Sequence, residues 1–458
     1  MIRFAKFAVM SALLASCAAP PAQVSKGAPV AFGVGASLPA MQVFAGSGGT
    51  APQRSNTEIA ADFLDLEFRM ESGRTLPVLT RFDGPILVAM TGDVPGSAVP
   101  DLTRLITRLR AEAGVDVRLA GAGQTPSIRI DFHPRATLQR LVPSAACFVV
   151  PRVASLAEYR ARRNSADVDW ANLTERTQVS IFVPSDTSPQ EVRDCLHEEL
   201  AQAMGPLNDL YRLSDSVYND DNFHTVLTGF DMLILRAHYA PELRSGMTRA
   251  EVARVLPSVL ARLNPAGQFG GSTPGALSPR PWIDAVSAAL GPRGTPAGRA
   301  AAADRMLSIA MAQGWRDNRL AFSYFAIGRL NVARDPEAAV RAFSTAARIY
   351  RTQPGSAIHV AHVDMQLAAI ALSQGQPGQA IAFADRAIPA VRQAQNAALL
   401  ATLMLIKSAA MEATGRVTEA RALRLDSLGW ARYGFGAEQQ VRSRMSEIAS
   451  LAARGNRS

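Results

Sequence analysis

Several absences bound what this chain can be. No stretch is long and apolar enough to cross a bilayer, because the one apolar run, near the start, covers only about ten residues. Lysine is nearly missing, so the net charge of +9 is carried almost wholly by arginine. The arginines are scattered along the sequence, which reads as solubility and argues against a nucleic-acid site. No Ser-His-Asp arrangement can be read among the six histidines. The glycine phrase "FGVGAS" at 32–37 is not followed by the lysine that a phosphate loop requires. Only three cysteines occur, Cys17, Cys147 and Cys195.

The first of them has a setting of its own. The chain opens MIRFAKFAVMSALLASCAAP, with Arg3 and Lys6 before the apolar run and small residues after it. That pattern marks a signal peptide over 1–16. Leu14-Ala15-Ser16-Cys17 resembles the lipobox of bacterial lipoproteins. The resemblance implies cleavage before Cys17, lipid on its thiol, and a lipid-anchored protein of the bacterial envelope that faces the periplasm. Ala18 after the cysteine favours the outer membrane. Two cysteines then remain in an oxidising compartment, where Cys147 and Cys195 are expected to pair. Such a bridge closes a loop of about 48 residues and contributes roughly 4 kcal/mol in the chain-entropy view. The alternative is two buried free thiols.

Composition is globular, with 48% hydrophobic and 19% charged residues. Residues 17–55 are rich in Ala, Gly, Pro and Ser and read as a flexible tether. Over 56–263 the pattern is mixed. "RFDGPILVAMTG", "VDVRLAG", "SIRIDFHP", "ACFVVP" and "VSIFVP" read as strands, and "AVPDLTRLITRLRAEAG" as a helix ended by Gly114. Pro- and Gly-rich residues 264–300 read as a linker. Residues 301–458 are helical and alanine-rich. "RDPEAAVRAFSTAARIY", "GQPGQAIAFADRAIPAV" and "GRVTEARALRLDSLGWA" share one phrase, with Ala339, Ala380 and Ala420 in register at a period of about 40 residues. The phrase resembles tetratricopeptide-like helix pairs, best at Ala368, Gly375, Ala380 and Ala387. An irregular helical bundle is the other reading.

"DCLHEELAQAMGPLNDL", 194–210, is the stretch closest to chemistry. Ser188, Pro189 and Glu191 form a capping box that predicts a helix from about 189 to 204, stopped by Gly205-Pro206. Val192, Cys195, Leu196, Leu200 and Ala203 then share one apolar face, and Glu199 falls within it. His197 and Ala201 point to the far side, so His197 has no second histidine one turn on. Glu198, Glu199 and Gln202 lie towards one flank, as two ligands and a general base do in a zinc peptidase.

The stretch is similar to a metzincin helix whose histidines are replaced. Gly205 falls at the expected glycine, and Asn208-Asp209 at the third ligand. "SDSVYNDD" resembles the methionine-turn segment, with Tyr218 near the methionine, and "LTGFDMLILRAHYAPEL" the helix after it. Residues 160 to 260, with "RSGMTRAEV", resemble a bacterial lipoprotein family catalogued as a domain of unknown function. The resemblance implies an α+β zincin-like domain, a mixed sheet with backing and active-site-type helices, followed by an all-α repeat domain. The ligand chemistry departs from it. Glu198, Gln202, Asn208 and Asp209 offer only oxygen, whereas zinc prefers imidazole and thiolate and calcium suits oxygen. Asp215, Asp220 and Asp221 could add further oxygens. His359 and His362, at i and i+3, read as a solvated pair, and His224 and His238 as isolated. The expectation is an inactive scaffold with no cofactor. It would be held to the membrane by lipid and bind another envelope protein or peptide through its repeats, and not nucleic acid. The rival is a hydrolase with a divalent metal and Glu199 as base, and a purely structural envelope protein is a third possibility.

Overall fold

The apolar runs over 86–90 and 179–184 and the apolar-polar alternation over 128–133 are strand patterns, and they are realised in a five-stranded sheet. This computed structural model describes residues 38–455 apart from 47, 144, 272, 273 and 292. The expected signal peptide, Cys17 and the tether up to residue 37 lie outside the described residues. The chain divides into two units, an α/β unit over 46–279 that also takes in 353–356, and a helical unit over the rest from Arg280 onward that also takes in residues 38–45.

In the α/β unit, helix α1 (Asn56–Glu67) precedes strand β1 (Ile86–Gly92) and helix α2 (Ala98–Arg108). Strands β2 (Val117–Leu119) and β3 (Ile128–His133) follow, then the short helix α3 (Arg135–Gln139), strand β4 (Phe148–Pro151) and helix α4 (Leu156–Arg162). Strand β5 (Val179–Pro184) leads into helix α5 (Pro189–Met204), with α6 (Gly229–His238) and α7 (Arg249–Leu263) after it. Strand order is β2-β1-β3-β5-β4. The first three pairings are parallel, and β4 runs antiparallel to β5 at one edge. Central β5 is buried on both faces, as a strand flanked on both sides and covered by helices must be. Its Val179, Ile181 and Val183 join the main core with α5, whereas Phe182 joins a smaller core with Phe148, Val150 and Leu156.

The helical unit begins earlier than its sequence suggests. Residues 264–300, expected as a linker, contain helix α8 (Arg280–Leu290) and the start of α9 (Pro296–Ala312). Their prolines stand in the first turn of each helix, where a missing N–H costs nothing, and Trp282 on α8 is fully buried. Then come α10 (Asn318–Asn331), α11 (Pro336–Tyr350), α12 (Ala357–Ser373), α13 (Pro377–Gln393), α14 (Ala397–Ala413), α15 (Val417–Phe435) and α16 (Glu438–Gly455). Ala339, Ala380 and Ala420 each occupy the fourth position of α11, α13 and α15, and all three are fully buried. Side chains this small let paired helices approach closely. No helix among the described residues is long and apolar enough to cross a membrane.

Charge divides between the units in a way the whole sequence conceals. Residues 46–279 hold 23 arginines against 27 acidic residues, a balance of −4. Residues 280–458 hold 22 basic against 12 acidic residues, a balance of +10.

Candidate functional site

Helix α5 begins where its sequence places it. Ser188 is the N-cap, its hydroxyl accepting from the Glu191 N–H at 3.2 Å, and Pro189 takes the first turn. The second half of the expected capping box is not made. The Glu191 carboxylate instead accepts from Arg135 and from the Thr187 hydroxyl, a charged partner winning over a backbone N–H. At the other end Gly205 stops the helix. A side chain there would put its Cβ 2.9 Å from the end of the Leu235 side chain on α6, so a larger residue would have to push that side chain aside.

Carbonyls left over at the end of α5 are taken by a residue that the sequence does not point to. Arg176, buried, donates to the Gln202 and Ala203 carbonyls at 2.8 and 2.7 Å and to the Gly205 carbonyl at 2.5 Å. It also donates to Thr80 at 3.1 Å and lies over the Trp170 ring. Burial lowers the pKa of the guanidinium. Its only sequence-level signal is an arginine shortly before a buried strand, and its hydrogen-bond partners lie more than twenty residues away.

The far side of α5 is covered as well. His197 and Ala201 are buried, and the His197 Nδ1 accepts from the Leu227 N–H at 3.1 Å. Burial, with Arg193 and Arg108 nearby, holds the His197 pKa well below its ordinary value, so the ring is a neutral acceptor inside the unit. On the same helix, burial pushes the Asp194 carboxyl up to about 7, against the opposing pull of Arg193.

On the flank where a ligand set was expected there is a small cavity of about 20 Å³. Glu199, fully buried, and Gln202 reach it from α5, with Phe148 and Val149 of β4, Trp170, Leu207 and the Met70-Glu71 turn as the other walls. The disulfide Cys147–Cys195, with Cα atoms 6.0 Å apart, joins two of these walls, since Cys147 directly precedes β4 and Cys195 lies one turn before Glu199. Glu198, half-buried, is not among the cavity-lining residues. Asn208 turns its amide to the Asp65 carbonyl at 2.9 Å, and neither it nor Asp209 lines the cavity. Among the described residues no three His, Cys, Asp or Glu side chains converge as they must to hold a metal ion.

The segment after α5 spends its acidic groups on its own folding. The Asp231 carboxylate, in the first turn of α6, accepts from the Ser216 hydroxyl at 2.5 Å and from the Val217 and Thr228 N–H groups at 3.2 and 2.7 Å. That binds the 214–218 loop to the start of α6. Burial raises the Asp231 pKa to about 6. Tyr218 is fully buried, with its hydroxyl close to Gly205 at the end of α5. Asp221 accepts from the Asn219 side chain and the Phe223 N–H, and Asp220 from the Tyr211 hydroxyl. Asp215 pairs with Arg54 at 3.0 Å. The fully buried His238 pairs with Glu67 at 2.6 Å, while the His224 ring lies 3.1 Å from the Ser214 carbonyl. His359 and His362, expected in solvent, are buried on α12. Every residue of α12 from Ile358 to Leu372 except Val360 is buried, so neither histidine has an open side to face.

These features describe an α/β domain built round one buried helix, with a small acidic cavity beside a disulfide-bridged edge strand. Residues 56–258 match the family described as "Protein of unknown function (DUF2927)", which supports membership of a domain-of-unknown-function family for this part of the chain. No curated protein and no solved structure matches.

Proposed function

We propose that this is an envelope lipoprotein that acts as a binding or scaffold protein, with an inactive zincin-like domain and a tetratricopeptide-like helical domain for protein interaction. The donor set at the cavity carries the reading. Glu199 and Gln202, with Glu71 beside them, present carboxylate and amide oxygens, and the lining holds no imidazole and no thiolate. The imidazole of α5, His197, is not among the cavity-lining residues, and its Nδ1 is engaged by Leu227. This set does not fit zinc, and no step through a metal is derived. The mixed sheet beside α5, and the 214–218 loop bound beneath it, support zincin-like ancestry. Helix pairs recurring every 40 or 41 residues, at Pro336, Pro377 and Val417, support the repeat reading.

A second reading rests on Glu199 facing the cavity, as a general base would in an atypical metal-dependent hydrolase. Zinc content, melting temperature and casein or peptidoglycan-peptide cleavage, measured on wild type, Glu199→Gln and Glu199→Ala, separate the two. A scaffold holds no stoichiometric zinc and cleaves nothing. In it Glu199→Gln stays near wild-type stability, and Glu199→Ala loses about 1–3 kcal/mol because its buried neighbours lose their acceptor. One equivalent of zinc in the wild type, with cleavage abolished in Glu199→Gln, would restore the hydrolase.

A further inference from the structure

The helical unit already holds a peptide. Residues 38–45, on the N-terminal side of the whole fold, run extended along α15. The Gln42 N–H donates to the Gly429 carbonyl at 3.0 Å and its side-chain amide to Asp426 at 2.9 Å. Arg432 donates to the Pro39 carbonyl at 2.7 Å. Phe44 lies on the Trp430 ring with centroids 4.4 Å apart, and Arg392 covers the same ring from 5.7 Å. Side chains alternate as in a bound strand, with Gln42 and Phe44 turned inward and Met41 and Val43 exposed.

The receiving surface is shaped for this. Gly429 sits inside a 19-residue helix, where glycine costs about 1 kcal/mol relative to alanine. A Cβ there would lie 2.7 Å from the Gln42 side chain and 3.1 Å from the Ala40 carbonyl. The glycine makes room for an extended chain and nothing in α15 itself calls for it. Trp430 is buried, and its indole N–H has no hydrogen-bond partner among the described residues.

We propose that Asp426, Gly429, Trp430 and Arg432 form an exchangeable peptide-binding groove. Its partner is an extended protein segment carrying glutamine two residues before an aromatic, and the chain's own residues 38–44 occupy the groove until that segment displaces them. This rests on the reading of the helical unit as the partner-binding part. Recognition is by main-chain hydrogen bonds plus one aromatic anchor, an economical way to hold an extended peptide. Because a few hydrogen bonds and one ring contact hold the strap, it is light enough to leave. Because it is tethered, it competes at an effective concentration on the order of millimolar, so a free peptide scarcely binds while it is in place.

The test uses the full chain and a fluorescent peptide of residues 38–46, followed by anisotropy. Wild type should bind weakly. The Gln42→Ala/Phe44→Ala variant, with the strap loosened, should bind at least tenfold more tightly. Adding Gly429→Leu, which fills the groove, should remove that gain, and so should Trp430→Ala, which removes the platform without filling it. Melting temperature shows that each variant is folded. A loosened variant that binds the peptide no better than wild type overturns the proposal and makes 38–44 a fixed part of the fold. Binding that survives both Gly429→Leu and Trp430→Ala also overturns it. If envelope partners are still captured by those groove variants, the helical unit binds elsewhere, and only the groove fails.

Discussion

Asp194 lies on α5, and its carboxyl is held at about 7. Its ordinary value is near 3.8, so between about pH 4 and 7 the unfolded chain has lost a proton that the folded chain keeps. Stability therefore falls as pH rises across that window, by up to about 4 kcal/mol at pH 7, and is flat in this respect above it. Asp194→Asn removes the titration. Its stability gain over wild type should be absent near pH 4, grow to pH 7 and then level off in urea melts. A gain independent of pH would mean that Asp194 is ionised throughout. Arg176 acts in the opposite way, as a permanent charge consumed by helix carbonyls that would otherwise be bare.

At the scale of elements, Ser188 and Glu191 no longer act as one motif. Ser188→Ala should cost about 1 kcal/mol through the lost cap. In a true capping box Glu191→Gln would be nearly silent, since glutamine can also reach the N-cap N–H. Here Glu191 holds Arg135 at the start of α3, so Glu191→Gln should destabilise, and in an Arg135→Ala background that effect should vanish. An Arg135-independent effect in denaturant melts would restore the box. The strands and α5 were legible because their signals are local: alternation in β3, short apolar runs in β1 and β5, and a cap, a proline and a glycine at the ends of α5. The burial of His197 was not, because a helical wheel gives direction and not what covers the far side, which here is the chain at Leu227. Helix α8 was hidden by composition, its proline reading as a breaker when it stands in the first turn. Arg176 and the strap on α15 were invisible because each depends on contacts made across long sequence separations.

For the molecule as a whole, the charge balance sets how an anchor must be tested. The helical unit carries +10 and will adhere to an anionic bilayer at low salt with or without lipid. Under the lipoprotein reading, Cys17→Ser should leave an unprocessed or soluble precursor, and membranes washed at high ionic strength should retain wild type alone. Retention of the variant after such a wash, with no acyl chains in the mass of the mature wild type, would refute the lipid anchor.

Strand order carries a consequence for how the chain is made. Synthesis delivers the N-terminus first, yet β5 must enter the sheet between β3 and β4, both of which precede it. Until residue 184 has emerged, β4 has no neighbour, and until residue 195 has emerged, Cys147 has no partner within the α/β unit. The nascent protein therefore passes through an interval with an unpaired strand and an unmatched thiol side by side. The same late-arriving segment, β5 with α5, closes both vacancies and completes the cavity wall that holds Glu199.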